Sequence, residues 1–321
     1  MRVLVRGAGV AGLVTAVTLA ERGHAVTLAE QGRRIGSGAS WQAGGMLAPW
    51  CEAETAPAAI LDGAEATITW WLAHATEARR SGSLVLALSR DGAELTGFAR
   101  RTTGYAWCDA DAIAALEPDL AGRFARGLFY AREAHLDPRR ALAGLAARLP
   151  ALGGRLLLDG NADPLPFERI VDCRGFAARD READLRGVRG EMVLLRCPEF
   201  ALSRPVRLLH PRTPVYLVPR ADHVFMLGAT MLESEQQGGV TARALLELLG
   251  AAYALHPALA EAEIIETGAG LRPSYPDNMP RVRQTDDGVI TVNGMHRHGF
   301  LLAPVLAAEV AERLAAHATT T

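Results

Sequence analysis

Residues 2–30 read RVLVRGAGVAGLVTAVTLAERGHAVTLAE, and this stretch decides the fold. A short apolar run over residues 2–6 is followed by a glycine-rich turn and then by residues 10–22, which are dense in Ala, Val and Leu. A second apolar run, residues 25–30, ends in an acidic side chain. The pattern predicts strand, tight turn, helix and strand, which together make one βαβ unit with a right-handed crossover.

The turn between the first strand and the helix matches GxGxxG, with Gly7, Gly9 and Gly12 at the three fixed positions. In dinucleotide-binding proteins the first glycine allows the tight turn, the second admits a pyrophosphate, and the third lets the helix pack on the strand. Val10 and Ala11 open the helix, whose unpaired N–H groups and positive dipole end would face the pyrophosphate. The flanking strand and helix favour a dinucleotide site over glycines that serve helix packing alone.

Glu30 ends the second strand, about twenty residues beyond the glycines, where a carboxylate can accept hydrogen bonds from the ribose hydroxyls of a dinucleotide. Gln31 follows it and is assigned to the same site. Because a carboxylate at this place repels a 2′-phosphate, the sequence leaves FAD or NAD as the ligand.

The bulk properties favour a globular protein that binds a small molecule. The chain has 321 residues, of which 49% are hydrophobic, and a formal net charge of -2. It can bury a large core and exceeds what one core usually organises, so two domains are expected. The basic side chains, all of them arginines, form no basic stripe, which argues against nucleic acid as the main partner. No apolar stretch is long enough to span a bilayer, so no integral membrane segment is predicted.

Cysteine and histidine usage favours a cytoplasmic protein without a metal site. Four cysteines are far apart and form no CxxC pair, namely Cys51, Cys108, Cys173 and Cys197. That spacing is expected of buried thiols in a reducing compartment rather than of disulfides or metal ligands. His296 and His298 form a lone HxH without a third ligand. The glycines of the first turn interrupt the apolar run that a signal peptide would need.

Beyond residue 30 the runs are of two kinds, which predicts two interleaved layers. Runs typical of a nucleotide-binding layer alternate helix and strand, at residues 138–149, 170–172, 288–293 and 299–317. Short β-rich runs without crossover helices between them predict antiparallel strands of a substrate layer, at residues 190–197, 215–219 and 224–228. A Leu-rich helix is predicted at 241–255, and a loop packed against a ligand at the Gly-, Ala- and Ser-rich residues 32–50.

Six further segments carry a second pattern, at residues 39–47 (ASWQAGGML), 187–191 (GVRGE), 215–220 (VYLVPR), 228–231 (GATM), 270–273 (GLRP) and 294–304 (GMHRHGFLLAP). In order and spacing these segments resemble the D-amino-acid oxidase family, specifically its glycine oxidase branch. The resemblance implies FAD as the cofactor. The expected fold class is α/β, a Rossmann-type FAD-binding domain interleaved with an α+β substrate domain that contains an antiparallel sheet. We expect the FAD-binding domain at residues 1–62, 133–189 and 267–321, and the substrate domain at residues 63–132 and 190–266.

The resemblance also implies a substrate site. Arg272 takes the place of the family's carboxylate-binding arginine, Tyr216 that of its carboxylate-binding tyrosine, and Arg297 that of a second arginine near the substrate. A carboxylate can accept two bonds from a guanidinium fork and a third from the tyrosine, which orients the Cα–H bond. Hydride transfer then needs orientation more than a protein base, so no general acid or base is assigned. Met46 and Met231 match methionines that narrow the pocket to a small amine such as glycine or sarcosine.

Two stretches match those that touch the flavin in the family, Ala39, Ser40, Gly44, Gly45 and Met46 in the first and Arg297, His298, Gly299, Phe300 and Leu301 in the second. A helix that starts near Phe300 would direct its dipole, together with Arg297, at the flavin atoms where reduction places negative charge. Between residues 156 and 169 the chain is shorter than is usual in the family, so no adenine-contacting residue is assigned. Trp41 and His298 differ from the residues expected, which leaves the fine substrate preference open.

The resemblance implies oxidative deamination of glycine, or a similarly small amino acid, to the imine and glyoxylate, with oxygen reduced to hydrogen peroxide and a role in thiamine biosynthesis. The expected partners are the amino acid and molecular oxygen, and family members often form homo-oligomers. Three alternatives stay open: a D-amino-acid oxidase or dehydrogenase with a wider pocket, a non-catalytic flavin-binding redox protein, and an NAD-dependent dehydrogenase. The last would have no use for residues 44–46 in a flavin-facing segment.

Overall fold

The structure is a computed structural model that describes residues 1–56, 61–160 and 167–318. Within these ranges, no helix combines the length and the apolar character needed to cross a membrane. The four cysteines all lie in the described ranges, and each is buried with a free thiol.

The N-terminal βαβ unit forms as predicted and belongs to a six-stranded sheet. Helix α1 (Val10–Glu21) connects the first two strands, which pair in parallel. The spatial order of the sheet is β15 (Arg281–Gln284), β16 (Ile290–Asn293), β9 (Arg169–Asp172), β1 (Arg2–Arg6), β2 (Ala25–Ala29) and β8 (Arg155–Leu157). Only the pairing of β15 with β16 is antiparallel in this sheet as described. A mostly parallel sheet with crossover helices is the Rossmann-type layer that the sequence predicted.

Helix α1 and two further helices pack together on this sheet. Every residue of α1 from Val10 to Ala20 is buried, because α6 (Pro138–Ala151) and α8 (Gly299–Ala318) pack against it. This explains why the helix is apolar on all sides rather than along one stripe. The predicted cap of α6 is present, since the Asp137 side chain accepts hydrogen bonds from the first backbone N–H groups of the helix.

Eight strands form a second sheet, in the order β14 (Glu263–Ser274), β10 (Arg186–Arg196), β13 (Val224–Gly228), β12 (Val215–Pro219), β11 (Val206–Leu209), β4 (Ser83–Ala87), β6 (Arg126–Tyr130) and β5 (Ala106–Asp109). Its pairings are antiparallel except that of β4 with β11. Helix α7 (Ala242–Leu255) packs on this sheet and buries Leu248 and Leu255 against it. The antiparallel substrate layer predicted from β10, β12 and β13 is therefore confirmed, and with it the fold class.

The chain passes repeatedly between the two sheets, as predicted. It leaves the six-stranded sheet after β2 and after β9, and it returns to that sheet with β8 and β15. The remaining helices of the described chain are α2 (Pro49–Glu52), α3 (Ala64–His74), α4 (Gly92–Arg101) and α5 (Ala110–Leu116). The boundaries given above for the two domains remain a prediction, and residues 57–60, 161–166 and 319–321 of them lie outside the described ranges.

The stretch 32–50, predicted to be a loop, contains regular structure and corrects that prediction. Residues Ala39–Gln42 form a 3-10 turn, and β3 (Met46–Leu47) pairs with β7 (Ala134–His135) as a separate two-stranded ribbon. The pairing partner lies nearly ninety residues further along the chain, so local composition carries no sign of it. The ribbon fixes residues 44–46 in one place relative to both sheets.

Candidate active site

One cavity of about 1330 Å³ is lined by residues from both sheets. Its walls include the Gly7 turn and Glu30 from the six-stranded sheet, and Tyr216 and Arg272 from the eight-stranded sheet. Sites for drug-sized ligands usually measure roughly 300–1,000 Å³. The cavity therefore has room for a dinucleotide together with a small substrate.

The glycine turn is shaped by contacts that exclude larger side chains. Gly7 has φ +93, and a Cβ atom there would lie 2.7 Å from the Cys173 carbonyl oxygen. A Cβ atom on Gly12 would lie 1.7 Å from the Gly7 carbonyl oxygen. Gly9 meets only the Ser40 hydroxyl, 3.1 Å from its would-be Cβ atom. The first and third glycines serve the turn and the helix packing, and the second keeps open the approach that a pyrophosphate needs.

The start of α1 differs from the prediction in one respect. The Val10 N–H group, expected to be unpaired, donates a hydrogen bond of 3.0 Å to Ser40 Oγ. Ser40 lies thirty positions away and reaches the helix because the Ala39–Gln42 turn folds back over it. Its hydroxyl hydrogen remains to be donated, so the serine can present the positive end of the helix dipole to an anion. Ala39 and Ala11 also line the cavity here.

The Glu30 carboxylate is held in place by backbone groups at the end of β2. Its Oε2 accepts from the Ala8 N–H at 2.7 Å, and its Oε1 accepts from the Gly32 N–H at 2.9 Å. Gln31 lines the same part of the cavity. A carboxylate fixed beside the glycine turn, with lone pairs left over, suits the two ribose hydroxyls of FAD. Residues 161–166, within the segment where an adenine contact was left unassigned, lie outside the described residues.

Arg220 clamps the segment predicted to face the flavin, and no role was assigned to it from the sequence. Its guanidinium donates to the Gly44 carbonyl oxygen at 2.6 Å and to the Leu136 carbonyl oxygen at 2.7 Å. Its side chain is only 8% exposed, and burial lowers its pKa to about 10. Gly45, with φ +77, packs closely against the same segment: a Cβ atom at this position would lie 2.2 Å from the Leu136 carbonyl oxygen. Arg220 ends the segment VYLVPR, which carried the family resemblance, but nothing in that segment indicates which groups its side chain contacts.

Tyr216 lies where two glycines make space for its ring. A Cβ atom on either Gly44 or Gly228 would lie 2.7 Å from ring atoms of Tyr216. Gly228 is also its cross-strand partner in the pairing of β12 with β13. Burial raises the pKa of the tyrosine hydroxyl, which therefore keeps its proton and can donate a hydrogen bond. The ring therefore lies against Gly44, in the segment predicted to face the flavin.

Arg272 projects from β14 across Gly190 of the neighbouring strand. A Cβ atom on Gly190 would lie 2.2 Å from the Arg272 guanidinium, so a glycine is needed there. The guanidinium donates to the Thr230 carbonyl oxygen at 3.1 Å, and burial lowers its pKa. Among the ion pairs of the described residues, none joins Arg272 to a carboxylate. A shielded cation without a carboxylate partner, in a cavity wall beside a tyrosine hydroxyl, is a fitting receptor for a ligand carboxylate.

Arg297, the second predicted arginine, is already paired with a carboxylate. Its guanidinium contacts Glu52 Oε2, and it also donates to Thr55 Oγ1 at 3.1 Å. Arg207 donates to Glu52 Oε1, and the Nδ1 atom of His298 lies 3.7 Å from Glu52 Oε2. Burial would raise the pKa of Glu52, but the two arginines hold it well below its usual range. Sequence analysis missed both Glu52 and Arg207, since neither lies in a segment that carried the family resemblance.

The two predicted pocket methionines differ in exposure. Met46 is partly buried and packs with Tyr216 against a small apolar cluster. Met231 also lines the cavity, but its side chain is among the exposed large hydrophobic residues of the described chain, at 57%. Of the two predicted pocket residues, Met46 is therefore the one whose side chain is held in place by packing.

The predicted helix near Phe300 begins at Gly299, directly after Arg297 and His298. A Cβ atom on Gly299 would lie 3.3 Å from Val10 Cγ1, so the starts of α8 and α1 lie close together at the cavity. Phe300 and Leu301 complete the first turn and line the cavity. The structure thus brings both predicted flavin-contact stretches to one cavity that also contains the glycine turn.

The histidines beside Arg297 have ordinary partners. His296 Nδ1 lies 2.7 Å from Ser274 Oγ, and burial lowers the pKa of His296 to about 3 and that of His298 to about 4. Both rings are therefore neutral near pH 7. No group of three or more His, Cys, Asp and Glu side chains in the described ranges has the arrangement of a metal site.

The chain is similar to known proteins in sequence and in fold. The family model for FAD dependent oxidoreductases (DAO) matches residues 2–313. A Rhizobium etli protein named as a thiamine biosynthesis oxidoreductase, ThiO, is 56% identical over 98% of this chain and 96% of its own length. The glycine oxidase of Pseudomonas putida is 28% identical over 94% of this chain and 91% of its own length. The crystal structure of glycine oxidase from Geobacillus kaustophilus has a TM-score of 0.82 at 24% identity and covers 97% of this chain and 95% of that one.

These similarities extend over nearly the whole chain and confirm the resemblance found in the six segments. They also confirm FAD, rather than NAD, as the cofactor, and the glycine turn, Glu30 and the ribbon predicted to face the flavin fit it. The protein is an FAD-dependent oxidoreductase. The chain belongs to the DAO family of FAD dependent oxidoreductases, in its glycine oxidase branch.

Proposed function

We propose that the protein oxidises glycine, or a similarly small amino acid, to the imine, which water converts to glyoxylate and ammonia. Oxygen is reduced to hydrogen peroxide, and the reaction serves thiamine biosynthesis. The observation that carries the proposal is Arg272, a shielded cation without a carboxylate partner among the described residues, beside the Tyr216 hydroxyl. The names of the Rhizobium etli and Pseudomonas putida relatives support the same reaction and role.

The residues around Arg272 would hold and orient the amino acid. The guanidinium fork can bind both carboxylate oxygens, and the Tyr216 hydroxyl can donate a third hydrogen bond. Since the Tyr216 ring lies against Gly44, a carboxylate held there places the substrate Cα next to the flavin-facing ribbon. FAD, when bound, supplies the acceptor for the hydride that leaves Cα. The protein's contribution is therefore to bind, orient and shield the reacting atoms.

The width of the pocket beside the substrate Cα decides whether the protein accepts only a small amine or also larger D-amino acids. Met46 would limit the space beside Cα, which favours glycine or sarcosine over larger D-amino acids. Met231 would add to this wall only if bound substrate draws its exposed side chain inward. The proposal also includes the cytoplasmic location, assembly into a homo-oligomer, and the division into an FAD-binding and a substrate domain.

The experiment is anaerobic reduction of the purified protein, followed at the oxidised-flavin band at about 450 nm. Glycine, sarcosine and D-alanine are added separately, and air is then admitted while peroxide is measured. Rapid bleaching by glycine or sarcosine, with recovery and peroxide in air, is the expected result. Bleaching by D-alanine alone would favour the rival with a wider pocket, and a protein that takes up FAD but is bleached by none would contradict the proposal.

A further inference from the structure

Glu52 stands between two arginines at the substrate end of the cavity. It ends α2, its side chain is 14% exposed, and each of its oxygens contacts a different guanidinium. Arg207 is bound at Oε1 and Arg297 at Oε2. The Glu52 carboxylate therefore forms ion pairs with two guanidinium groups, and both of these arginines line the cavity.

Tyr216 lies among these charges. Burial raises the pKa of its hydroxyl, the Glu52 carboxylate adds to this effect, and the guanidinium groups of Arg272, Arg207 and Arg297 oppose it. Arg207 is also its direct cross-strand partner in the pairing of β11 with β12. A carboxylate bound by Arg272 and Tyr216 would consequently have the Glu52 group as its charged neighbour.

We propose that Glu52 is a specificity-determining residue that biases the site toward amines with one carboxylate and against amines with two. It does so by occupying Arg207 and Arg297, which could otherwise bind a second carboxylate, and by repelling that carboxylate itself. This inference rests on the proposed function, in that Arg272 and Tyr216 take the first carboxylate. Sequence analysis assigned no role to Glu52 or to Arg207.

Isosteric ligands separate charge from shape in a direct test. Iminodiacetate is glycine with a second carboxylate on its nitrogen substituent, and its monoamide has almost the same shape without the second charge. The measured quantity is the ratio of kcat/KM for iminodiacetate to kcat/KM for the monoamide. Because a general loss of activity cancels in this ratio, a purely structural effect of a substitution does not change it.

The FAD-loaded Glu52→Gln variant should raise this ratio about tenfold or more, since one repelling charge is removed and two cations are released in a partly desolvated site. Adding Arg207→Met to the variant should remove most of the gain. Glu65→Gln is the matched control, because Glu65 also bridges two arginines, Arg80 and Arg132, but does not line the cavity. The ratio should stay unchanged in this control.

An unchanged or lower ratio in Glu52→Gln would overturn the inference, and so would an equal rise in Glu65→Gln. Dissociation constants for the same two ligands, from perturbation of the flavin spectrum without turnover, provide a second readout. If glycine fails to bleach the wild-type flavin, the proposed function fails. The ratio of dissociation constants then still decides whether Glu52 discriminates against the second carboxylate.

Discussion

Replacing Arg272 by Met should separate activity from stability. The two hydrogen bonds that its fork can give to a substrate carboxylate are charge-assisted, each contributing about 1.5–3 kcal/mol. Losing both removes about 3–6 kcal/mol, which corresponds to a fall in kcat/KM of about 10² to 10⁴. The free protein loses only the bond to the Thr230 carbonyl oxygen and is relieved of a shielded cation without a carboxylate partner in the described structure. Its Tm should therefore change by no more than about 2 °C.

Arg204→Met provides the matched control. Arg204 is also largely buried, but it binds Glu117, whose side chain is 1% exposed, and it does not line the cavity. Removing it leaves a buried carboxyl without its cation, a change that costs about 3–5 kcal/mol and should lower the Tm by about 6 °C or more. Activity per folded molecule should be retained. Stopped-flow flavin reduction and thermal unfolding of the FAD-loaded proteins measure both quantities. If Arg272→Met lost stability and activity together while retaining glycine binding, the assignment of its role would be refuted.

Three further results are expected. Gly12→Ala should yield a colourless protein, because its methyl group would lie 1.7 Å from the Gly7 carbonyl oxygen; retention of FAD in the visible spectrum would contradict this. Arg220→Met should weaken FAD binding about tenfold or more, seen as a higher dissociation constant on titrating apoprotein, since two backbone carbonyls lose their donor. Burial raises the pKa of Glu133 to about 7, so its protonated form stabilises the fold at low pH. Wild type should thus lose stability relative to Glu133→Gln as the pH rises from about 5 to about 7, and parallel Tm profiles of the two proteins would rule this out.

Local pattern was sufficient for most of the fold. The βαβ unit, the capped helix α6 and the strands β10, β12 and β13 were all predicted, because each depends on residues close in sequence. The exceptions depend on distant partners. The ribbon of β3 with β7 and the bond from Val10 to Ser40 join segments whose own composition is that of a loop.

The candidate site divides in the same way. Resemblance identified Tyr216 and Arg272, and the structure places both at one cavity with the glycine turn. It did not identify Glu52 or Arg207, whose importance comes from being near Arg297 rather than from any motif. An ion pair between residues far apart in the chain has no signature in either partner's neighbourhood. Arg297 was accordingly predicted near the substrate without any counter-ion being named, and the structure pairs it with Glu52.

By itself, the sequence determined the dinucleotide-binding turn, the two kinds of layer and the family, because glycine spacing and hydrophobic periodicity act over a few neighbouring residues. Tertiary structure alone decided which arginine is left without a carboxylate partner among the described residues and can therefore bind the carboxylate of a ligand. Arg272 and Arg297 both line the cavity, yet among the ion pairs of the described residues only Arg297 has a carboxylate partner, brought to it by the ribbon and by α2. The physical reason is that the charge available at a site is a sum over neighbours in space, and those neighbours are set by folding.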